Sequence, residues 1–449
     1  MKKYFLNFFF LLPVFVFGQQ NIELTKADQL IDSLVSNDLT HGQVLIMQGD
    51  SIVYQRSFGK SAIYSDTDKP NTNQTYFRIG SVTKSFIATM IFQLIEEDRL
   101  SLDTYLSKFF PRIPNSKKIQ IVDMLSHQSG LKNYTQIKNF SNWAKENRSR
   151  RKLMKRLYDM KTGFEPKSRV AYSNTNYFLL GLIVEKLDRR SLQKSLEKRI
   201  FEPLALNHIF LGEDFEYITS SAHPYMYTDC WEDALPVDLD LIGGAGAIVS
   251  QPSDLATFIH ALFSSDQLLN DKSRAEMMTF KNVLGRGCMT VPFYEYSAVG
   301  HNGDINGFLT NAYYFSDQDM TIVCCLNASR YPINNLIVGV LSDYYKKEFT
   351  IPNFRGVQLN DSDLQKCIGN YFSNKTFLEL KVYHKNNELY GQIIGQSPFY
   401  LKAKNKLNFT NEGFGIKVEF ITTKSGKITG LLLKQRGQEL LFDRKKEEK

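Results

Sequence analysis

The chain has 449 residues, 43% hydrophobic and 13% aromatic, enough apolar side chain for packed interiors in two or three domains. A formal charge of +8 is modest for that length and gives no argument for nucleic acid as a partner. Five cysteines (Cys230, Cys288, Cys324, Cys325 and Cys367) are scattered and odd in number, and the seven histidines show no paired ligand spacing, so no disulfide framework, metal or cofactor is expected.

Residues 1–18 read as a signal peptide. Lys2 and Lys3 form a charged start, Phe5 to Phe17 an apolar stretch, and Val16-Phe17-Gly18 a cleavage site before Gln19. An uncleaved anchor is the alternative. No later stretch is apolar for long enough to cross a bilayer, so the mature protein is expected to be exported, periplasmic or extracellular, without a transmembrane span. Ala27 to Val35 has the spacing of a helix, and Val44 to Met47 with Ile52 to Gln55 that of a hairpin turning at Gly49-Asp50.

The next stretch is Gly80-Ser81-Val82-Thr83-Lys84, followed by Phe86, Ile87, Met90, Ile91, Leu94 and Ile95 at helical spacing. Ser81 and Lys84 then share one face of the first turn. The hydroxyl lies at the positive end of the helix dipole with an amine beside it, which favours a developing alkoxide. Alone the spacing is weak, since Ser57/Lys60, Ser149/Lys152, Ser191/Lys194 and Ser195/Lys198 repeat it. Met124 to Leu131 predicts a short helix capped at Gly130, with His127 bonded to backbone in preference to acting as a base.

Phe140 to Met160 reads as helical and basic, with Lys145, Arg148, Arg150, Arg151, Lys152, Lys155 and Arg156. Its readings are a solvated face or a patch for anionic cell-envelope polymer or lipid. Tyr172-Ser173-Asn174 precedes a helix over Phe178 to Leu187. Either Tyr172 and Asn174 point into a cleft, or Tyr172 packs and Ser173 or Asn174 caps the helix. Gly243-Gly244-Ala245-Gly246 lacks the lysine of a phosphate loop and suggests close backbone packing beneath a cleft. Ser253 and Asp254 offer caps for the following helix. Gly300 to Phe308, with His301, Gly303 and Asp304, is a polar glycine-rich strip beside the strands Ala312 to Phe315 and Met320 to Leu326, the latter a buried strand holding Cys324-Cys325. Past Pro352 short strands with turns at Lys385-Asn386-Asn387 and Ser425-Gly426 predict a small antiparallel sheet or barrel over 358–446.

Ser81-x-x-Lys84, Tyr172-Ser173-Asn174 and His301-Asn302-Gly303 together resemble, in order and rough spacing, the serine β-lactamase-like hydrolases. That superfamily holds class C β-lactamases, penicillin-binding DD-peptidases, D-aminopeptidases and related esterases. The resemblance runs from about residue 25 to 345. It implies an α+β fold, with an antiparallel sheet flanked by helices, a helical region, and a hydrolase domain over 19–350 followed by the small β-domain. Ser81 would be the nucleophile, Lys84 its proton partner and Tyr172 a general acid and base. Asn174 would hold Lys84 and the substrate amide, His301 and Gly303 would line the cleft, and the N–H groups of Ser81 and Asp304 would form the oxyanion hole.

The implied activity is an exported serine hydrolase cleaving an amide, peptide or ester through an acyl-enzyme. A D-amino-acid peptide or small ester is favoured over a β-lactam, with cell-wall peptide among the candidates. The alternative is a penicillin-recognising binding or sensor protein. Three positions depart from the family's pattern. His301 replaces a lysine, so the anchor for a substrate carboxylate would charge only as pH falls through about 6.5. Asp304 puts a carboxylate where small residues are usual, and Lys167 stands after Pro166 where glycine is common.

Overall fold

A computed structural model describes residues 22–445, apart from 64–68, 138–139, 141–142, 144–148, 213–217, 229, 236–237, 353, 355–356, 358, 386–387, 395–397, 412–414 and 436–437. The signal peptide expected at 1–18, part of the basic segment (Lys145 and Arg148) and the Asn386-Asn387 turn lie outside the described residues.

The first half of the chain supplies α1 (Thr25–Ser36), β1 (Thr40–Gln48), β2 (Ser51–Phe58), α2 (Thr83–Glu96), α3 (Ile121–Leu125) and α4 (Asn174–Asp188). The second supplies α5 (Pro252–Ser264), β3 (Met289–Phe293), β4 (Tyr296–Ile305), β5 (Phe308–Phe315), β6 (Met320–Ser329) and α6 (Ile333–Tyr344). The six strands form one antiparallel sheet in the order β3-β4-β5-β6-β1-β2. The N-terminal hairpin therefore joins the later strands within the sheet, where β1 pairs with β6.

Alternation along each strand decides which helices cover which face. Val44 and Ile46 of β1, with Ile322 and Cys324 of β6, pack against Leu30 and Leu34 of α1 and Leu336 and Val340 of α6. Leu45, Met47, Val323 and Cys325 point to the other face, into the larger core built on α2, α4 and α5. The two adjacent cysteines thus lie on opposite faces of the sheet. Helix α2 runs through the middle of the larger core. It is apolar nearly all round, as a buried helix must be, and Phe86 stacks on Phe258 of α5 with centroids 3.5 Å apart.

Two expected boundaries move. The helix predicted to end at Gly130 stops at Leu125, because Ser126 already caps it and Gly130 instead packs against the Phe164 carbonyl. Helix α5 starts at Pro252, so Ser253 and Asp254 fall in its first turn and Gln251 takes the cap position. Among the described residues no helix is long and apolar enough to cross a membrane.

The C-terminal part begins with a helix the sequence reading missed, α7 (Asp361–Cys367). Eight strands follow, from β7 (Gly369–Phe372) to β14 (Gln438–Arg444), and close into an antiparallel barrel where Tyr371 pairs with Arg444. Leu380, Val382, Leu401, Phe409, Leu431 and Phe442 fill its interior. Arg330, just past β6, bridges to it. Its guanidinium lies 3.6 Å from the Tyr227 ring centroid and 5.5 Å from that of Tyr400.

Candidate active site

Ser81 occupies a 3-10 turn, Gly80–Val82, that leads directly into α2. The hydroxyl is half-buried and stands at the positive end of a helix buried along its first ten residues, where partial charges are poorly screened. Gly80 has φ +52, and a Cβ there would lie 3.0 Å from the Asp304 nitrogen. A Cβ on Gly303 would lie 2.0 Å from the Ile79 oxygen and 3.2 Å from the Ser81 nitrogen. Only glycine at both positions lets the edge of β4 run against the turn that carries Ser81.

Two groups reach the Ser81 oxygen. Lys84 Nζ is 2.9 Å from it, and the Tyr172 hydroxyl donates to it at 2.8 Å. Lys84 is completely buried, and loss of water pushes its amine well below the usual lysine range. Its other partner is the Ala245 carbonyl, and the Tyr172 ring centroid lies 5.0 Å away. The Ala245 carbonyl gets there because Gly244 packs Cα to Cα against Gly181 of α4. A Cβ on Gly244 would meet the Tyr177 carbonyl at 2.6 Å and Gly181 at 3.2 Å. The close packing expected of the glycine run is thus what brings an acceptor to the lysine.

Tyr172 is not packed away. It is 37% exposed at the mouth of the site, and Ser173 makes no side-chain cap on α4. The protein around its ring raises the phenol above its usual value, against the opposing effect of the bond to Ser81. Behind it lies His127, with ring centroids 4.4 Å apart. His127 Nδ1 accepts from the Ser173 N–H at 3.2 Å and faces the Asn176 amide at 3.3 Å. Asn176 is in turn fixed by Ser129 at 2.6 Å. Burial, then the nearby Lys84, pushes His127 well below the ordinary histidine value, so it is a neutral acceptor. The expectation of a histidine bonded to backbone holds.

Asn174 differs from expectation. Its amide donates to Thr135 at 3.0 Å, and the lysine it was expected to hold is held by Ala245. His301 differs more. It lies on β4 at 3% exposure, and its Nδ1 donates to the Asn302 carbonyl at 2.6 Å. Burial, followed by Lys84, pulls its pKa down to about 4, not the 6.5 of a solvated imidazole. It stays neutral across ordinary pH and anchors no carboxylate. Asp304 stands exposed on the opposite side of the strand from His301, with its carboxyl raised by partial desolvation. Lys167 adopts φ +69, the left-handed backbone that glycine would take without cost. Among the described residues no three His, Cys, Asp or Glu gather to hold a metal ion.

Sequence reasoning missed the Ala245 carbonyl, Thr135 and the Ser129–Asn176 pair. The first is backbone and carries no residue-type signal. Asn176 had one, falling two residues after Asn174 in the same motif.

An antiparallel sheet edge against a buried serine helix defines the class: the protein is a serine hydrolase of the β-lactamase-like superfamily. It belongs to the beta-lactamase family, whose model matches residues 27–335. A similar curated relative is the teichoic acid D-alanine hydrolase of Staphylococcus aureus (strain MRSA252), 29% identical over 234 residues, or 51% of this chain and 56% of the relative. The chain thus spans about half the length of the curated relatives it matches. Among solved structures, D-amino acid amidase from Ochrobactrum anthropi SV3 in complex with L-phenylalanine has a TM-score of 0.63 at 22% identity, covering 72% of this chain and 98% of its own. The octameric penicillin-binding protein homologue from Pyrococcus abyssi has a TM-score of 0.66 at 20% identity over 94% of this chain and 100% of its own. At such identities these two show a shared fold. The second extends that likeness over most of the barrel.

Proposed function

We propose that this hydrolase is exported and cleaves an ester or amide of a D-amino acid through an acyl-enzyme on Ser81. The observation that carries the reading is that a desolvated amine and a phenol converge on one serine oxygen, at 2.9 and 2.8 Å. A lysine whose proton is already disfavoured has a lone pair for the Ser81 proton as the oxygen attacks the carbonyl. The tetrahedral oxyanion is taken by the N–H groups of Ser81 and Asp304, on the two backbones that run together there. Tyr172 passes its proton to the leaving oxygen or nitrogen and recovers one from Lys84. Water, deprotonated by the same groups, then releases the acid and restores Ser81.

Substrate class follows from charge. With His301 neutral and Asp304 at the rim, neither residue offers a fixed cation to a carboxylate on the leaving group, which is what a β-lactam or a peptide C-terminus would present. The relatives' names, a D-alanine hydrolase and a D-amino acid amidase, support a D-aminoacyl group on the acyl side. Asn174, His301, Gly303 and Asp304 line the substrate cleft in this reading. The hydrolase domain is 19–350, and 358–446 is a separate unit. The rival, a penicillin-recognising sensor with little turnover, has no use for an intact Ser81, Lys84 and Tyr172 set.

The test is a fluorophosphonate adduct mapped by mass spectrometry, with D-alanine esters assayed alongside. A label confined to Ser81 and lost in Ser81→Ala supports the reading. A label on another serine, or D-ester hydrolysis that survives Ser81→Ala, refutes it.

A further inference from the structure

Strand β4 is bare along part of one edge. β3 pairs only with Tyr296 to Gly300, so among the described residues His301 to Ile305 meet β5 on one side and no strand on the other. The turn that carries Ser81 closes on this bare stretch. The backbone N, C and O of Asp304 all lie within 3.3 Å of where a Cβ on Gly80 would stand. In the reading above, one residue thus offers its N–H to the oxyanion and carries a carboxylate at the same rim.

A carboxylate is an awkward occupant of that position. An oxyanion hole gathers partial positive charge around a developing negative one, and an anionic side chain on a hole residue opposes it. Among the described residues no ion pair and no side-chain hydrogen bond takes up the Asp304 carboxylate, and partial loss of water is the influence that acts on it. His301, on the other side of the strand, is neutral and turned to the Asn302 carbonyl. Lys84 is fully buried and held by Ser81 and Ala245. Neither basic group balances Asp304.

The chemistry at the reacting carbonyl says where a balancing cation would sit. The carbonyl oxygen lies between the Ser81 and Asp304 N–H groups, and the leaving atom faces Tyr172 to be protonated. The third substituent, the α-carbon, is what remains for Asp304. A cation carried on that carbon is an α-ammonium. Just past Asp304 the Asn306 amide donates to the Leu235 carbonyl, and Leu235 is 61% exposed. An open apolar side chain near a lone carboxylate suits an α-carbon that bears a small apolar branch as well as a charge.

We infer that Asp304 is a specificity-determining residue whose carboxylate receives the free α-ammonium of the acyl group, so that the substrate itself neutralises the charge beside the oxyanion. The inference rests on the acyl-enzyme at Ser81 and adds a requirement to it. An N-acylated or deaminated acyl donor leaves the carboxylate unbalanced as negative charge develops, and is turned over slowly for that reason. Selection then acts on the rate of acylation as well as on binding.

The experiment compares D-alanine methyl ester with methyl D-lactate, in which a neutral hydroxyl of similar size replaces the ammonium. At about pH 6.5 an α-amino group of pKa about 7.7–8.0 is charged. In the parent, kcat/KM should favour the alanine ester. Asp304→Asn should cut that preference about ten- to a hundredfold, the span of a hydrogen bond to a charged group. Asparagine keeps the size and the backbone N–H, so methyl D-lactate should speed up as the opposing charge leaves. Asp304→Glu, which restores the charge, should regain part of the preference. A preference that Asp304→Asn leaves intact overturns the inference and would mean that the carboxylate only turns anions away. Equal losses on both esters overturn it too, as the mark of a structural role. So does a greater loss on propionylcholine than on D-alanine methyl ester, since the cation would then belong to the leaving group. Failure of Ser81 as nucleophile would show separately, as hydrolysis of both esters persisting in Ser81→Ala.

Discussion

The imidazole of His127 lies over the ring of Tyr172 with their planes tilted by 31°, and His127 also grips the backbone on either side of that tyrosine. Its carbonyl takes the Ala171 N–H at 2.9 Å and its Nδ1 takes the Ser173 N–H. Asparagine tolerates the left-handed backbone of His127 (φ +55), so His127→Asn should fold while releasing the ring contact. Methyl ester hydrolysis, in which the proposed mechanism has Tyr172 protonate a poor leaving group, should fall about ten- to a hundredfold in kcat, within the span of general acid catalysis. p-Nitrophenyl esters, whose leaving group needs no proton, should change little. Equal losses on both substrates would mean that His127 only supports the fold.

Lys84→Arg keeps a cation where the proposed mechanism requires a lone pair. It should lower kcat by about 10²- to 10⁴-fold, with the adduct at Ser81 forming correspondingly slowly. An arginine variant of near-normal rate would show that Lys84 acts through charge alone.

For the buried histidine of β4 the pH dependence has a definite sign. The folded pKa of His301 is about 4 and the unfolded value about 6.5, so the unfolded chain binds more protons between them. The contribution of His301 to stability is complete above about pH 6.5 and fades as pH falls toward 4, by up to about 3 kcal/mol. His301→Asn should flatten that part of a chemical-denaturation profile. By the same reasoning, kcat/KM for a carboxylate-bearing ester relative to its methylated form should stay level from pH 5.5 to 8.5. A ratio that climbs on acidification would mean a solvated, chargeable imidazole.

Lys167→Gly removes a left-handed side chain, worth about 1–2 kcal/mol, against the extra chain entropy of glycine, about 0.5–1 kcal/mol. Its exposed bond to Gln120 at 2.6 Å is lost as well. A net gain of up to about 1 kcal/mol in urea denaturation is expected, with unchanged activity. A loss of stability would mean that the Gln120 contact outweighs the backbone strain.

The meeting of Ser81, Lys84 and Tyr172 was legible because it resides in side chains with fixed spacing: Ser81 and Lys84 on one turn, and Tyr172 next to a helix start. What sequence could not supply was where buried backbone would end up. The acceptor for Lys84 is a carbonyl delivered by the Gly181–Gly244 contact, and Asn174 is drawn instead to Thr135. His301 illustrates the same limit from another side. Its residue type suggested a switch near neutrality, while its position on an inward-facing strand face, beside an amine, decided otherwise. The barrel strands were readable from alternation, but closure was not. It joins Tyr371 to Arg444, residues with nothing in their local patterns to mark them as neighbours.

The sheet holds Cys324 and Cys325 back to back, and Cys288 and Cys367 are buried as well, which leaves Cys230 as the one exposed thiol among the described residues. It sits beside Trp231, whose ring lies 5.2 Å from that of Tyr227, the residue on which Arg330 stacks as it reaches toward the barrel. A maleimide fluorophore added to native protein would therefore attach at a single place. Its emission would report on the joint between sheet and barrel without any engineered cysteine.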